Sequence, residues 1–278
     1  MPQDMAGTDR LSSRSAEGGV FSHQTRKATM QVSELPFQAN EAINVLRGNL
    51  QLSGYNVKVI AVTSALIHEG KSSVAFRLAK SFAGLGKKTI FVDCDIRNSH
   101  IITRYQVEGV EYGLSEFLSG NTYMLNIVYQ TDDENLDIIF PGASAPNPSE
   151  LFSGEMFANL LQLCRSHYDY VIIDTPPINA VIDGVLIAKQ CDGAVMVVET
   201  GVTDRRQCIK ATRQLEYAGI KVLGAVMNKV GSRKNRYGYG YGYGYGYGYG
   251  YGYGTGTGYG EEKGKSRKKK GRSDGKKK

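Results

Sequence analysis

The chain contains no tryptophan and only four cysteines in 278 residues. Cys94, Cys164, Cys191 and Cys208 form no CxxC pair and no Cys/His ligand spacing, which argues against a metal-binding framework and fits reduced thiols. Long hydrophobic runs are missing as well. No stretch approaches the ~20 apolar residues that span a bilayer, and the first residues lack the apolar core of a secretory leader. The body also lacks net charge. Residues 261–278 hold ten Lys/Arg against three acids, which equals the +7 of the whole chain, so the remainder balances to zero. A neutral body excludes a basic nucleic-acid binder, and no nucleic-acid partner is expected. The basic end suits contact with an anionic membrane, at about 1 kcal/mol per Lys/Arg near the surface, or serves only to solubilise the chain.

What the sequence has in surplus is tyrosine in an unusual place. Tyr237, Tyr239, Tyr241, Tyr243, Tyr245, Tyr247, Tyr249, Tyr251 and Tyr253 alternate with glycine, and Tyr259 follows, making ten of the eighteen tyrosines. Tyrosine ordinarily fills cores and interfaces. Glycine at every second position is entropically costly to order and adds no side chain to a core. The segment is therefore expected to be an unfolded array of phenols in water, which is what a substrate looks like. Four regions follow: residues 1–32, polar and without periodicity, expected to be disordered; residues 33–231, one domain; residues 232–260, the Tyr/Gly tail; and residues 261–278, the basic tail.

Within the body, Ser33 is placed to cap a helix running to about Leu52, with Ala42, Val45, Leu46 and Leu50 on roughly one face. Short apolar runs at 57–63, 89–92, 136–140, 170–173, 194–198 and 222–227 read as strands. Helical patterns at 71–85 (ended by Gly86), 151–167, 181–190 and 204–217 (behind Thr203 as cap) separate most of them. Continuous apolar strands alternating with helices predict an α/β fold with a doubly wound, mostly parallel sheet. Ligands of such sheets sit at the carboxyl ends of the strands.

Three motifs stand at those ends. Residues 65–73, Ala-Leu-Ile-His-Glu-Gly-Lys-Ser-Ser, read as a P-loop with Ala65 in place of the usual first glycine. Backbone N–H groups of Glu69, Gly70, Lys71, Ser72 and Ser73 would cradle phosphates at a helix N-terminus. Lys71 would reach the outer phosphates, and the Ser72 hydroxyl would bind Mg²⁺. After the next strand, Asp93 and Asp95 stand two apart and point the same way, and carboxylates gathered there call for a cation. The third is the strand 171–173 ending in Asp174 ahead of Pro176 and Pro177. Together they indicate a Mg-ATP site on a P-loop NTPase-like domain.

With these residues the sequence resembles the bacterial tyrosine kinases, from about residue 41 to residue 230. Asp93-Cys94-Asp95-Ile96-Arg97 matches that family's hhhDxDxR motif, and Asp174-Thr175-Pro176-Pro177 its hhhDxxP motif; a tyrosine-rich C-terminus is a further family trait. The resemblance implies a protein-tyrosine kinase that phosphorylates its own tail and helps control capsular or extracellular polysaccharide polymerisation and export. Lys71 would hold the β- and γ-phosphates. Ser72, Asp95 and Asp174 would place Mg²⁺. Asp93 would take the proton from the attacking phenol, a poor nucleophile without a base. Asn228 either reads adenine or caps its strand. Implied partners are a transmembrane activator of the polysaccharide-copolymerase type, a phosphotyrosine phosphatase, and further copies of the chain, as a ring in the family. The implied location is cytoplasmic, at the inner face of the membrane. The ring contact uses ExxRxxR, which here reads Glu41, Asn44, Arg47, so one arginine is missing.

Two rival readings remain. A partition or septum-site ATPase carries an early P-loop lysine in KGGxGK, where this chain has Leu66. A non-catalytic ATP-binding adaptor would keep the motifs and make no phosphotyrosine. As a coil, a tail of some 40 residues spans roughly 35 Å, enough to reach a neighbouring subunit.

Overall fold

The computed structural model describes residues 26–54 and 56–231. The tail tyrosines, the basic segment and the first 25 residues lie outside the described residues. Among the described residues, eight strands form one sheet: β1 (Arg26–Lys27), β2 (Val59–Ser64), β3 (Thr89–Asp93), β4 (Val128–Gln130), β5 (Leu136–Ile139), β6 (Tyr170–Asp174), β7 (Gly193–Glu199) and β8 (Val222–Asn228). Their order is β1-β4-β5-β3-β6-β2-β7-β8. Every pairing is parallel except β4 with β5.

The helices are α1 (Phe37–Leu52), α2 (Lys71–Ala83), α3 (Ile101–Arg104), α4 (Leu114–Leu118), α5 (Pro148–Ser153), α6 (Glu155–His167), α7 (Asp183–Ala188) and α8 (Arg205–Tyr217). Alternate residues of the central strands feed different cores. Phe91 and Ile172 join Phe76 and Phe82 of α2, whereas Ile90, Val92, Val171 and Ile173 join Phe157 and Leu160 of α6. Burial on both faces explains why these strands read as unbroken apolar runs. No helix among the described residues is long and apolar enough to cross a membrane.

Several local expectations are corrected. Ordered contacts begin before residue 33: β1 pairs with β4, and Ala28 is buried. Two and three residues are too few for a strand to show periodicity. Helix α1 starts after Pro36, not at Ser33. Proline drives the preceding residue out of the helical region. Only Leu50 of α1 is buried, with Ile43 and Leu46 against the core, while Val45 is 61% exposed. The expected helix 151–167 is broken at Gly154, whose backbone is extended. Asp204, not Thr203, caps α8, its side chain accepting from the Arg206 N–H.

Candidate nucleotide site

Strands β3, β6 and β2 are neighbours, so their carboxyl ends bring Asp93, Asp174 and the loop after Ser64 together. The chain leaves β2, turns through residues 65–70 and enters α2 at Lys71. Gly70 makes that entry with φ +89°, and a Cβ there would collide with Asn228 Nδ2. The first turn of α2 carries no acidic residue, so the positive end of the helix faces an open cavity. That cavity measures about 670 Å³ and is lined by Gly70, Lys71, Ser72, Asp95, Arg97 and Asn228 among others.

Lys71 is the centre of charge. Its Nζ donates to Asp95 Oδ2 at 2.9 Å and lies 3.8 Å from Asp174 Oδ1. Burial alone would lower its pKa, but the surrounding carboxylates of Asp174 and Asp95 override that and raise it. The ammonium is thus held charged where phosphate oxygens would arrive.

The three acids differ. Asp95 borders the cavity and also accepts from the Asn98 N–H. Asp93 is fully buried; its Oδ1 accepts from the Asp95 N–H at 3.0 Å and its Oδ2 from the Ser99 hydroxyl at 2.5 Å. Asp174 is equally buried, yet neither of its oxygens has a hydrogen-bond partner. Desolvation pushes Asp93 up to about 6 and Asp174 up to about 7. A buried carboxylate without a donor is costly, and here it sits beside the phosphate cradle. No group of three or more His/Cys/Asp/Glu among the described residues has metal-binding geometry. Mg²⁺ bound with a nucleotide needs only one or two carboxylates, with phosphate and water as its other ligands. The oxygens of Asp174, which accept no hydrogen bond and face the Lys71 ammonium at 3.8 Å, fit that donor set together with Asp95 and the Ser72 hydroxyl.

Other predicted residues fall into place differently. Ser73 lines the cavity with its hydroxyl engaged by Arg104. The Glu69 carboxylate accepts from the Leu66 N–H at 2.6 Å and from the Thr203 hydroxyl, while the cradle role expected of Glu69 concerns its backbone N–H. Asn228 reaches the cavity, but its Nδ2 donates to the Glu69 carbonyl and its Oδ1 accepts from the Lys229 N–H. Each end of that amide is engaged once within the chain, as a strand-end cap would be, and each keeps a second donor or acceptor position. Glu41 is exposed and is bonded by Asn44, while Arg47 is turned inward onto the Ser81 carbonyl and hydroxyl of α2. Arg47 thus ties α1 to α2 within one chain. One partner of the Arg97 motif residue was not singled out in the sequence. Asp183 of α7, fully buried, pairs with Arg97 Nε at 2.6 Å and accepts from the Ser149 hydroxyl. They are distant in sequence, and no local pattern announces the contact.

Comparisons with known proteins place this geometry in a family. A family model described as an AAA domain matches residues 57–203. Tyrosine-protein kinase CpsD of Streptococcus pneumoniae serotype 4 is 40% identical over 201 residues, covering 72% of this chain and 88% of that protein. Tyrosine-protein kinase YwqD of Bacillus subtilis is 36% identical over 202 residues, covering 72% and 85% respectively. Among solved structures, the kinase domain of Escherichia coli tyrosine kinase ETK matches with a TM-score of 0.68 at 29% identity, over 78% of this chain and 94% of that one. The chain, with a P-loop, two acidic strand ends and this relationship over most of its body, belongs to the bacterial tyrosine-protein kinase family.

Proposed function

We propose that the chain transfers the γ-phosphoryl group of ATP to tyrosine hydroxyls of its own C-terminal cluster, between subunits. We place this activity in the control of capsular or extracellular polysaccharide polymerisation and export, with a transmembrane activator and an opposing phosphatase. The observation that carries this reading is the convergence of Lys71, Asp93, Asp95 and Asp174 on three neighbouring strand ends, in a chain whose residues 237–259 include ten tyrosines. The Glu41 face of α1 would serve assembly, and the basic segment would contact anionic lipid.

In this reading Lys71 and the first turn of α2 seat the β- and γ-phosphates. Ser72, Asp95 and Asp174 would hold Mg²⁺, which when bound supplies charge neutralisation on the phosphates. Asp93 takes the phenolic proton, the phenolate oxygen forms a bond to the γ-phosphorus, and the bond to the β–γ bridging oxygen breaks to release ADP. The Ser99 hydroxyl occupies the Oδ2 of Asp93 that a substrate phenol would need. In this reading a substrate phenol takes the place of the serine hydroxyl at that oxygen.

The experiment is phosphotyrosine mapping by mass spectrometry after incubation with Mg-ATP, with and without the cytoplasmic segment of a membrane activator. Label within residues 237–259, abolished by Lys71→Met, is the expected result. An absence of label under both conditions, with ATP binding intact, would replace the kinase reading by that of an ATP-dependent adaptor.

A further inference from the structure

The P-loop of this chain contains a residue in a conformation that its side chain disfavours. His68 has φ +64°, in the left-handed region that only glycine and a few polar residues visit readily. Such a residue persists only where its surroundings over-determine it, and its presence at a ligand cradle points to function. The carbonyl of His68 accepts a hydrogen bond from Lys229 Nζ at 2.7 Å. Lys229 also has a left-handed backbone, with φ +57°. Its ammonium is oriented from the other side by Glu199 Oε2 at 2.8 Å. The next P-loop carbonyl, Glu69, accepts from Asn228 Nδ2 at 2.8 Å. Two consecutive carbonyls of the loop are thus gripped by two consecutive side chains at the end of β8.

The direction of these bonds matters. A phosphate cradle works by turning backbone N–H groups toward the anion, which turns the carbonyls elsewhere. Carbonyls 68 and 69 are the ones fixed by the Lys229 and Asn228 donors. With both held, the loop is set before any phosphate arrives, and the ordering cost is removed from the binding step. Neither contact is legible in sequence, because each spans more than 150 residues between P-loop and final strand.

We propose that Lys229 is a positioning residue for nucleotide: from the cavity rim, with Asn228, it clamps the P-loop backbone in its phosphate-binding form. This rests on the reading of the P-loop as the ATP site. A clamp acts on the loop, not on one particular phosphate, so its loss weakens ATP and ADP equally. A lysine that touched the γ-phosphate itself would weaken ATP alone.

The test measures binding of a fluorescent ADP and a fluorescent ATP analogue to the full chain, with Lys71→Met as reference. Lys229→Met is expected to raise both dissociation constants about tenfold, the scale of one charged hydrogen bond. Lys229→Arg, which keeps a donor and a charge, restores most of that loss. Thermal unfolding without nucleotide is expected to match the parent chain, since the side chain lies at the rim and is 39% exposed. Unchanged affinity in Lys229→Met, beside lost affinity in Lys71→Met, would overturn the clamp and leave the ATP site standing. A loss confined to ATP would also overturn it. Undiminished affinity in Lys71→Met would instead remove the site reading on which the clamp depends. Should Lys229→Met unfold, Glu199→Gln, which frees the ammonium without removing it, is expected to weaken both nucleotides by a smaller equal factor, and no effect there would count against the clamp.

Discussion

Asp93 and Asp174 are the same residue at the same height of adjacent strands, paired in register and both fully buried. Their surroundings are opposite. Asp93 receives two hydrogen bonds from its own segment, whereas Asp174 receives none. The turn after β3 folds back, so the Asp95 N–H and the Ser99 hydroxyl cover the Asp93 carboxylate. The turn after β6 runs into Thr175, Pro176 and Pro177, and proline has no N–H to offer. Two identical acids are thereby separated into one hydrogen-bonded by its own segment and one whose charged neighbour is the Lys71 ammonium 3.8 Å away.

The strongest way to break this comparison is to neutralise each acid in turn. Asp93→Asn keeps the shape and removes the base, so phosphoryl transfer is expected to fall about 10²–10⁴-fold while nucleotide affinity stays within a few-fold. Asp174→Asn is expected to remove the Mg²⁺-dependent part of nucleotide affinity, so that titrations with and without Mg²⁺ converge. Calorimetry and phosphotyrosine rates on both variants distinguish these outcomes. If both variants lost the same quantity, the two acids would not have separate tasks.

The next effect is on the nucleotide-free protein. Burial raises Asp174 to about 7, above the ordinary carboxylate value near 4. Between those limits the folded chain holds a proton that the unfolded chain has released. The stability of the nucleotide-free chain is therefore greatest at the acid end of this window and falls as pH rises toward 7, by an amount on the order of a few kcal/mol. Asp93, raised chiefly by burial as well, titrates together with Asp174 and acts in the same direction. Asp174→Asn is expected to flatten the slope and make the empty protein more stable at pH 8, because Lys71 keeps Asp95 as its partner. Denaturant midpoints from mildly acidic to mildly basic pH would show this, and superimposed slopes for variant and parent would refute it.

How much of this was legible in sequence follows the range of each interaction. The three strand ends were readable because strand, turn and acid are contiguous, and the mostly parallel sheet followed from unbroken apolar runs such as Val171–Ile173. The orphaned state of Asp174 was not readable, since it depends on which donors fold back over a neighbouring strand. Thr203 is the clearest case of a local rule overridden. It precedes a helix and has the right hydroxyl, but Asp204 caps α8 while Thr203 bonds to Glu69, far away in sequence. Val45 failed similarly, because α1 leans on the core along the narrow stripe of Ile43, Leu46 and Leu50. The Arg97–Asp183 pair and the Lys229 contact join motifs to segments with no signature of their own.

The smallest expected effect gives the sharpest view of Asp93. Ser99→Ala strips Oδ2 of its donor and makes Asp93 resemble Asp174. Leaving a buried acceptor half-satisfied is expected to cost about 1–3 kcal/mol of stability, part of it from the lost Ile101 N–H contact to the same hydroxyl. Ser99→Thr keeps the donor and should recover most of the loss. The effect on transfer is expected to be far weaker than that of Asp93→Asn, because a phenol that displaces the serine hydroxyl finds the carboxylate already uncovered in Ser99→Ala. Acceptor KM should then fall or hold while stability declines, a split that a purely structural serine would not produce. A loss of transfer as deep as in Asp93→Asn would mean that the hydroxyl carries the proton onward and is not a placeholder for substrate.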